Sequence, residues 1–288
     1  MAPRKRDEKD VPPGLDLAGE NVHWDFRDAM SYADYLGLKA LLQCQRPLSG
    51  QHDEMLFITI HQASELWIKL CLHELTAAIR QIRRDELGPA FKMLSRIARV
   101  QMQLIQSWEI LSTMTPFDYV GFRDSLGQSS GFQSFQYRML EFRLGNKNAK
   151  MARVFESDSE LAGQVDAALS EPSIYDESLA LLTRRGIAIP DSKLRRDFAE
   201  PYVEDQRVTD AWRTVYRDVE KYWDLYELAE KLVDLEYRFH LWRFSHMKTV
   251  ERIIGAKPGT GGTSGVKYLK KALDLTFYPE LWAVRSEI

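Results

Sequence analysis

Cysteine is nearly absent: Cys44 and Cys71 are the only two in 288 residues. Both lie in or beside stretches with helical patterning, and two such residues suggest neither a disulfide framework nor a thiolate metal centre. Charge of one sign is equally scarce. The 39 Lys and Arg nearly balance the 42 Asp and Glu, and a formal charge of -3 gives no electrostatic reason to expect nucleic acid or an anionic membrane surface. The N-terminal MAPRKRDEKDVPPG mixes charge with proline and has no apolar run, so it reads as neither secretory signal nor membrane span. Residues 1–20 are expected to form a disordered tail and residues 21–288 a single helical domain. Sparse cysteine points to the cytoplasm. Long alternating β-branched runs are missing throughout, which makes the expected fold class all-α, a helical bundle. Hydrophobic residues at 44% and charged residues at 28% are ordinary for a globular chain of this size, which is long enough to bury a sizeable core.

The most informative stretch runs from Trp223 to Gly265. Leu225, Leu228, Leu232, Leu235, Phe239, Trp242, His246 and Ile253 alternate in steps of three and four, which puts them on one face of a long helix ending at Ile254. His246 interrupts that apolar stripe, whereas His240 falls off it. A buried imidazole needs a partner: either a carbonyl or carboxylate within the core, or a metal or haem iron. Spacing alone does not choose. The following GAKPGTGGTSG lacks a preceding strand and a GK[ST], so it is no dinucleotide or triphosphate loop; it reads as a plain connector or as a mobile loop closing over a ligand, with Thr260 as a hydroxyl contact.

Earlier in the chain, MSYADYLGLKALLQCQ predicts one short amphipathic helix with Tyr32, Tyr35 and Leu36 on a face that packs on the core. DEMLFITIHQASELWIKLCLHELTAAIRQI predicts a central helix with Asp53 as N-cap and two adjacent apolar stripes. His61 and Ser64 interrupt the second stripe, so His61 is either a hydrogen-bonded core histidine or a second site residue. His73-Glu74 is half of HExxH, but position 77 is Ala, which excludes that zinc motif. After a break at Asp85 to Pro89, Leu94, Ile97, Gln101, Leu104, Trp108 and Leu111 resume helical spacing. Thr115, Pro116 and Asp118 make a compact helix start, and Tyr119 and Arg123 share a face four residues apart. Arg123 is either a solvated arginine or a bidentate clamp for a carboxylate. GQSSGFQS breaks the chain, and Phe132, Phe135, Met139 and Phe142 follow at helical spacing, stopped by Gly145. Residues 146–222 hold shorter helices punctuated by Pro172, Gly186 and Pro190.

Taken in order, YADYLGLKALL, HDEMLFITIHQASELWIKLCLHEL, FRDSLGQSSGFQSFQYRMLEFRLGNKN, HMKTVERIIGAKPGTGGTSGVKYL and FYPELW resemble the tryptophan 2,3-dioxygenase family over much of the chain. The resemblance implies a helical bundle enclosing a haem pocket, an oxidoreductase that opens the indole ring of L-tryptophan with O2 to give N-formylkynurenine, and a place at the start of kynurenine-route catabolism. It implies one haem b per subunit with His246 as proximal iron ligand, held without thioether bonds because no CxxCH is present. It makes His61 the distal histidine accepting the indole N–H, Phe57 a pocket wall, and Arg123 with Tyr119 the carboxylate partners. Thr260 falls near carboxylate and ammonium, and Ser130 near the haem. In such proteins Tyr32, Tyr35 and Leu36 complete a neighbouring protomer's pocket, so a homotetramer is expected, with no nucleic-acid or membrane partner. Two departures stand beside the site: Ile60 and Ala63 flank His61-Gln62 where the family pattern reads QHQT, and Ser245 precedes His246 where arginine is common. A relative that inserts one oxygen atom into a substituted tryptophan, and a haem sensor without turnover, are the competing functions.

Overall fold

The computed structural model describes Gly14, Gly19 and residues 21–288. The expected tail over residues 1–20 therefore lies almost wholly outside the described residues. Among those described there is no strand, and the helices are α1 (Tyr32–Leu36), α2 (Leu38–Leu41), α3 (Asp53–Arg83), α4 (Leu87–Leu111), α5 (Pro116–Arg123), α6 (Phe135–Leu144), α7 (Ala149–Ala152), α8 (Ser159–Ser170), α9 (Ile174–Arg184), α10 (Asp191–Leu194), α11 (Gln206–Arg217), α12 (Trp223–Ile254), α13 (Val266–Leu273) and α14 (Pro279–Ala283). None is long and apolar enough to cross a membrane.

Two compact units are present, Met1–Arg46 and Pro47–Ile288. In the first, the single amphipathic helix expected around Tyr32 is two short ones. Gly37 adopts φ 61, which closes α1 with its N–H on Ala33 and Asp34 and starts α2. Ser31 and Asp34 form a capping box that fixes the entry to α1. Tyr32, Tyr35 and Leu36 are exposed, at 75%, 77% and 43%, so the reading that they pack on the core is incorrect.

The second unit is built on three long helices: α3 packs along α4, and α4 along α12. The stripes read from the sequence are the surfaces that meet. Cys71, Leu75, Ala78 and Ile82 of α3, Leu94, Ile97 and Leu104 of α4, and Leu225, Leu228, Leu232, Leu235 and Phe239 of α12 share one buried core. At about 1.5–3 kcal/mol for each large side chain fully removed from water, this surface is the main favourable term holding the three helices in register. Two helix starts differ from expectation. Asp53 is the first helical residue of α3, and it is Glu54 that ties down the chain before it, accepting from the Leu48 and Ser49 amides at 2.7 Å each. Helix α4 begins at Leu87, and the break shrinks to a turn around Asp85 at φ 64, because Pro89 sits in the first turn where its missing N–H costs nothing.

Buried carboxylates tether the smaller pieces to this frame. Glu236 on α12 accepts from the Phe277 and Tyr278 amides and from the Trp282 indole at 2.6, 3.2 and 2.9 Å. Glu280 in turn accepts from the Tyr175 and Tyr202 hydroxyls and the Asp205 amide. His240, expected to point away from the protein, turns its Nε2 toward Glu236 at 3.4 Å. At that distance Nε2 is buried without a hydrogen-bond partner among the described residues.

Candidate active site

A second, smaller apolar cluster joins α3, α4, α5 and α12. Ile60, Trp108, Leu111, Met114, Tyr119, Phe122 and Ile253 are buried in it, with Phe57 and Trp242 packed against them. Its cavity, about 90 Å³, is lined by Phe57, His61, Trp108, Leu111, Met114, Tyr119, His246, Thr249, Val250, Ile253 and Ile254. That is below the roughly 300–1,000 Å³ of pockets that enclose an organic ligand, so a larger guest requires the lining to move. A larger surface depression of about 300 Å³ beside α9 lies elsewhere, and its charges are already committed, Asp176 to Arg196 and Glu177 to Arg83.

His61 reaches this cavity from α3 and His246 from α12, and the two imidazoles are held differently. His61 Nδ1 lies 2.7 Å from the Phe57 carbonyl one turn earlier. A carbonyl only accepts, so Nδ1 carries the proton and Nε2 keeps its lone pair. Burial lowers the His61 pKa, opposed by the Phe57 carbonyl and the charge of Glu65, and favours the neutral ring. Phe57 also packs over the imidazole, its centroid 4.2 Å away. His246 retains some surface because it borders the cavity, yet burial, helped slightly by His61, pushes its pKa down to about 4. Neither of its ring nitrogens is hydrogen-bonded among the described residues; the ring is fixed by stacking on Trp108, with centroids 4.5 Å apart and planes 16° apart, and by Trp242 at 5.9 Å. The Nε1–H groups of Trp108 and Trp242 are both buried without an acceptor among the described residues.

Helix α5 supplies the polar edge. Thr115 and Asp118 form the predicted capping box with Pro116 in the first turn, which sets the direction in which Tyr119 and Arg123 project. The Tyr119 hydroxyl is neutral at ordinary pH, its pKa raised by burial against the nearby Arg123 charge. Arg123 donates from Nη2 to the Pro258 carbonyl at 2.8 Å, and Thr260 donates its hydroxyl to the Ser129 carbonyl at 2.6 Å. Ser130 caps the short turn Gly131–Gln133. Thus Phe57, His61, Tyr119 and His246 line one cavity, while Arg123, Ser130 and Thr260 are gathered by the glycine-rich loop rather than in the cavity wall. Tyr32, Tyr35 and Leu36 belong to the other unit.

The sequence marks Trp108 and Leu111 only as stripe residues of a helix, and it does not single out Met114, Thr249, Val250 or Ile254. For two of these a signal exists: Thr249 and Val250 stand three and four residues after His246 and so share its face. Ile60 sits in the apolar cluster. It is not among the residues lining the cavity, so the departure from the expected glutamine falls in the packing behind the site.

A sequence model described as Tryptophan 2,3-dioxygenase matches residues 18–166 and 212–288. The chain belongs to the tryptophan 2,3-dioxygenase family. A protein of that name from Polaromonas sp. (strain JS666 / ATCC BAA-500) is 58% identical over 269 residues, covering 93% of this chain and 92% of its own. Relatives of the same name from Bacillus anthracis and Geobacillus thermodenitrificans (strain NG80-2) are 56% and 55% identical, each covering 93% of this chain and 96% of its own. The match with the dioxygenases spans all four helices that build the cavity.

Proposed function

We propose that the protein is a haem-dependent tryptophan 2,3-dioxygenase that cleaves the indole C2–C3 bond of L-tryptophan with O2 to give N-formylkynurenine. The observation that carries this reading is a cavity walled by apolar side chains and bordered by two neutral imidazoles from facing helices, of which one has a defined acceptor edge and the other no partner.

The donor set fits a haem, for which the lining must open beyond the present cavity of about 90 Å³. Among the described residues no group of three or more His, Cys, Asp or Glu is arranged to hold a bare metal ion, whereas a porphyrin iron asks the protein for a single axial ligand. His246, kept neutral by burial and free of hydrogen bonds, offers that ligand. The unpaired Nε1–H groups of Trp108 and Trp242 beside it are donors suited to an anionic or polar edge of the cofactor. Haem b, one per subunit and non-covalent, supplies ferrous iron, which overcomes the spin barrier to reaction of O2 with the ring.

The chain's own residues do the rest. His61 Nε2 accepts the indole N–H and orients the ring. It need not remove that proton, because the indole N–H is a very weak acid. Phe57 supports the ring face, and Tyr119 with Arg123 holds the substrate carboxylate, with Thr260 near carboxylate and ammonium and Ser130 near the haem. Such fixing of both reactants is worth about 7–11 kcal/mol of barrier when the bound geometry is near the reacting one. Residues 21–288 form the haem-binding catalytic domain, with the cavity carried by residues 47–288. The exposed Tyr32, Tyr35 and Leu36 complete the pocket of a neighbouring copy in a homotetramer, which gives three large uncovered side chains a covering surface.

The deciding experiment is the mass of the product formed by haem-loaded, reduced protein from L-tryptophan and isotopically labelled O2. Two labelled atoms are expected. One atom, with exchange into water excluded, establishes the monooxygenase alternative, and a tryptophan-dependent spectral change without product establishes a sensor. His246→Ala is expected to lose the five-coordinate haem spectrum, and its retention would move the ligand to another residue.

A further inference from the structure

The loop between α12 and α13 is tied to the rest of the unit by two side-chain hydrogen bonds. Arg123 on α5 donates to the Pro258 carbonyl, and Thr260 donates to the Ser129 carbonyl. Between these two contacts the backbone at Gly261 comes so close to Ser130 that a Cβ there would lie 2.6 Å from the Ser130 Cβ and 2.9 Å from its Oγ. Ser130 cannot retreat cheaply. Its hydroxyl accepts from the Phe132 amide, and its own amide donates to the Gln133 side chain, so it is locked as the cap of the following turn. Within the loop the Gly259 and Gly262 N–H groups donate to the Thr263 and Gly259 carbonyls at 3.1 Å each, which ties residues 259–263 to one another. Whatever lifts residue 261 lifts Pro258 with it.

We propose that Gly261 is a positioning residue: its missing side chain lets the loop seat on Ser130, and that seating holds the Pro258 carbonyl on Arg123 and so fixes the guanidinium plane for an amino-acid carboxylate. The proposal rests on the reading of Arg123 as the carboxylate clamp. A guanidinium has five N–H donors, so one committed to Pro258 still leaves a pair for the substrate, and a plane already fixed loses less freedom when the substrate binds. A hydrogen bond at 2.8 Å is lost by a shift of about an ångström, which is the displacement that an added methyl at 261 requires.

The test compares Gly261→Ala with Gly259→Ala. A Cβ at Gly259 meets Thr263 Oγ1 at 2.9 Å, a clash that rotation of that hydroxyl can relieve, so this variant reproduces the stiffening of the loop without pressing on Ser130. Gly261→Ala is expected to raise KM for L-tryptophan about tenfold, the size of one lost charge-assisted hydrogen bond, to lower kcat less than about twofold, and to narrow discrimination against decarboxylated tryptophan. Amide hydrogen exchange over residues 255–265 should quicken in Gly261→Ala and in Arg123→Gln, and stay near wild type in Gly259→Ala. Equal behaviour of the two glycine variants in exchange and in KM would overturn the proposal. The exchange comparison needs no substrate, so it judges the seating even if the wild-type protein proves not to act on tryptophan, an outcome that would instead overturn the carboxylate role of Arg123.

Discussion

Glu141→Gln is expected to be among the most destabilising single changes in the chain. Glu141 on α6 is 2% exposed and accepts from Arg138 one turn earlier, from Arg243 Nη2 on α12 at 2.6 Å, from the Tyr137 hydroxyl at 2.8 Å and from Asn146 Nδ2 at 3.3 Å. The Arg138 and Arg243 side chains are themselves only 6% and 4% exposed. One buried carboxylate therefore holds two buried guanidinium groups, and each has already lost most of its hydration. Neutralising the carboxylate leaves two like charges uncompensated, a change that costs about 3–5 kcal/mol when a buried pair is broken from one side. For a unit of this size, with an unfolding entropy near 2 cal/mol/K per residue, each kcal/mol lowers Tm by roughly 2 °C, so the loss is about 6–10 °C. Calorimetry on haem-free protein measures it without interference from cofactor binding. Removing one charge as well, in Glu141→Gln with Arg243→Met, should recover part of the loss, because the second guanidinium is no longer buried beside the first. A drop of less than about 2 °C in Glu141→Gln, or simple additivity in the double variant, would refute the assignment of the cluster as a desolvated charge network.

Lys147→Met removes an ammonium that donates to the Ala168, Leu169 and Glu171 carbonyls at the end of α8, and leaving these buried acceptors unpaired should cost about 3 kcal/mol in chemical denaturation. Haem-free protein should weaken in acid through His246. Its folded pKa of about 4 lies below the free value of 6.5, so its contribution is complete above pH 6.5 and is lost as pH falls toward 4, amounting to about 2 kcal/mol by pH 5. His246→Gln should flatten that part of the stability curve, and an unchanged pH dependence would show that the ring protonates freely in the folded state. Arg123→Ala should cut the preference for tryptophan over its decarboxylated analogue by about one to two orders of magnitude in kcat/KM, as expected for about 1.5–3 kcal/mol of charged hydrogen bonding, and an unchanged preference would remove Arg123 from substrate recognition.

What the sequence makes legible is whatever local spacing controls. The α12 stripe, the α4 run from Leu94 to Leu111, the Thr115–Asp118 capping box and the Gly145 stop all appear as read. These features depend on residues within a few turns of one another. The errors lie where a single residue's backbone or a distant partner decides. Gly37 splits a helix that the apolar pattern treats as continuous, because hydrophobic periodicity carries no information on φ. Arg243, three residues before His246, carries a charge that the pattern alone would leave in solvent, and it is buried because Glu141 waits for it 102 positions earlier. Spacing puts Trp108 correctly on the inner face of α4, but its stack on His246 joins two helices far apart in the chain, and no spacing rule supplies it.

The two histidines make the same distinction within the site. His61 takes its tautomer from its own helix, since the carbonyl four residues earlier claims the Nδ1 proton, and the acceptor edge is fixed as soon as α3 forms. His246 has no such bond, and its orientation comes only from Trp108 and Trp242 once α4 and α12 pack. That division suits the roles proposed here. A group that must accept one particular N–H needs a defined tautomer before the substrate arrives, whereas an iron ligand needs a neutral ring with a lone pair free on one nitrogen. It follows that disturbing α4 packing, for instance by Trp108→Leu, should weaken haem retention while leaving the His61 tautomer intact, and Phe57 carbonyl geometry should govern the reverse case.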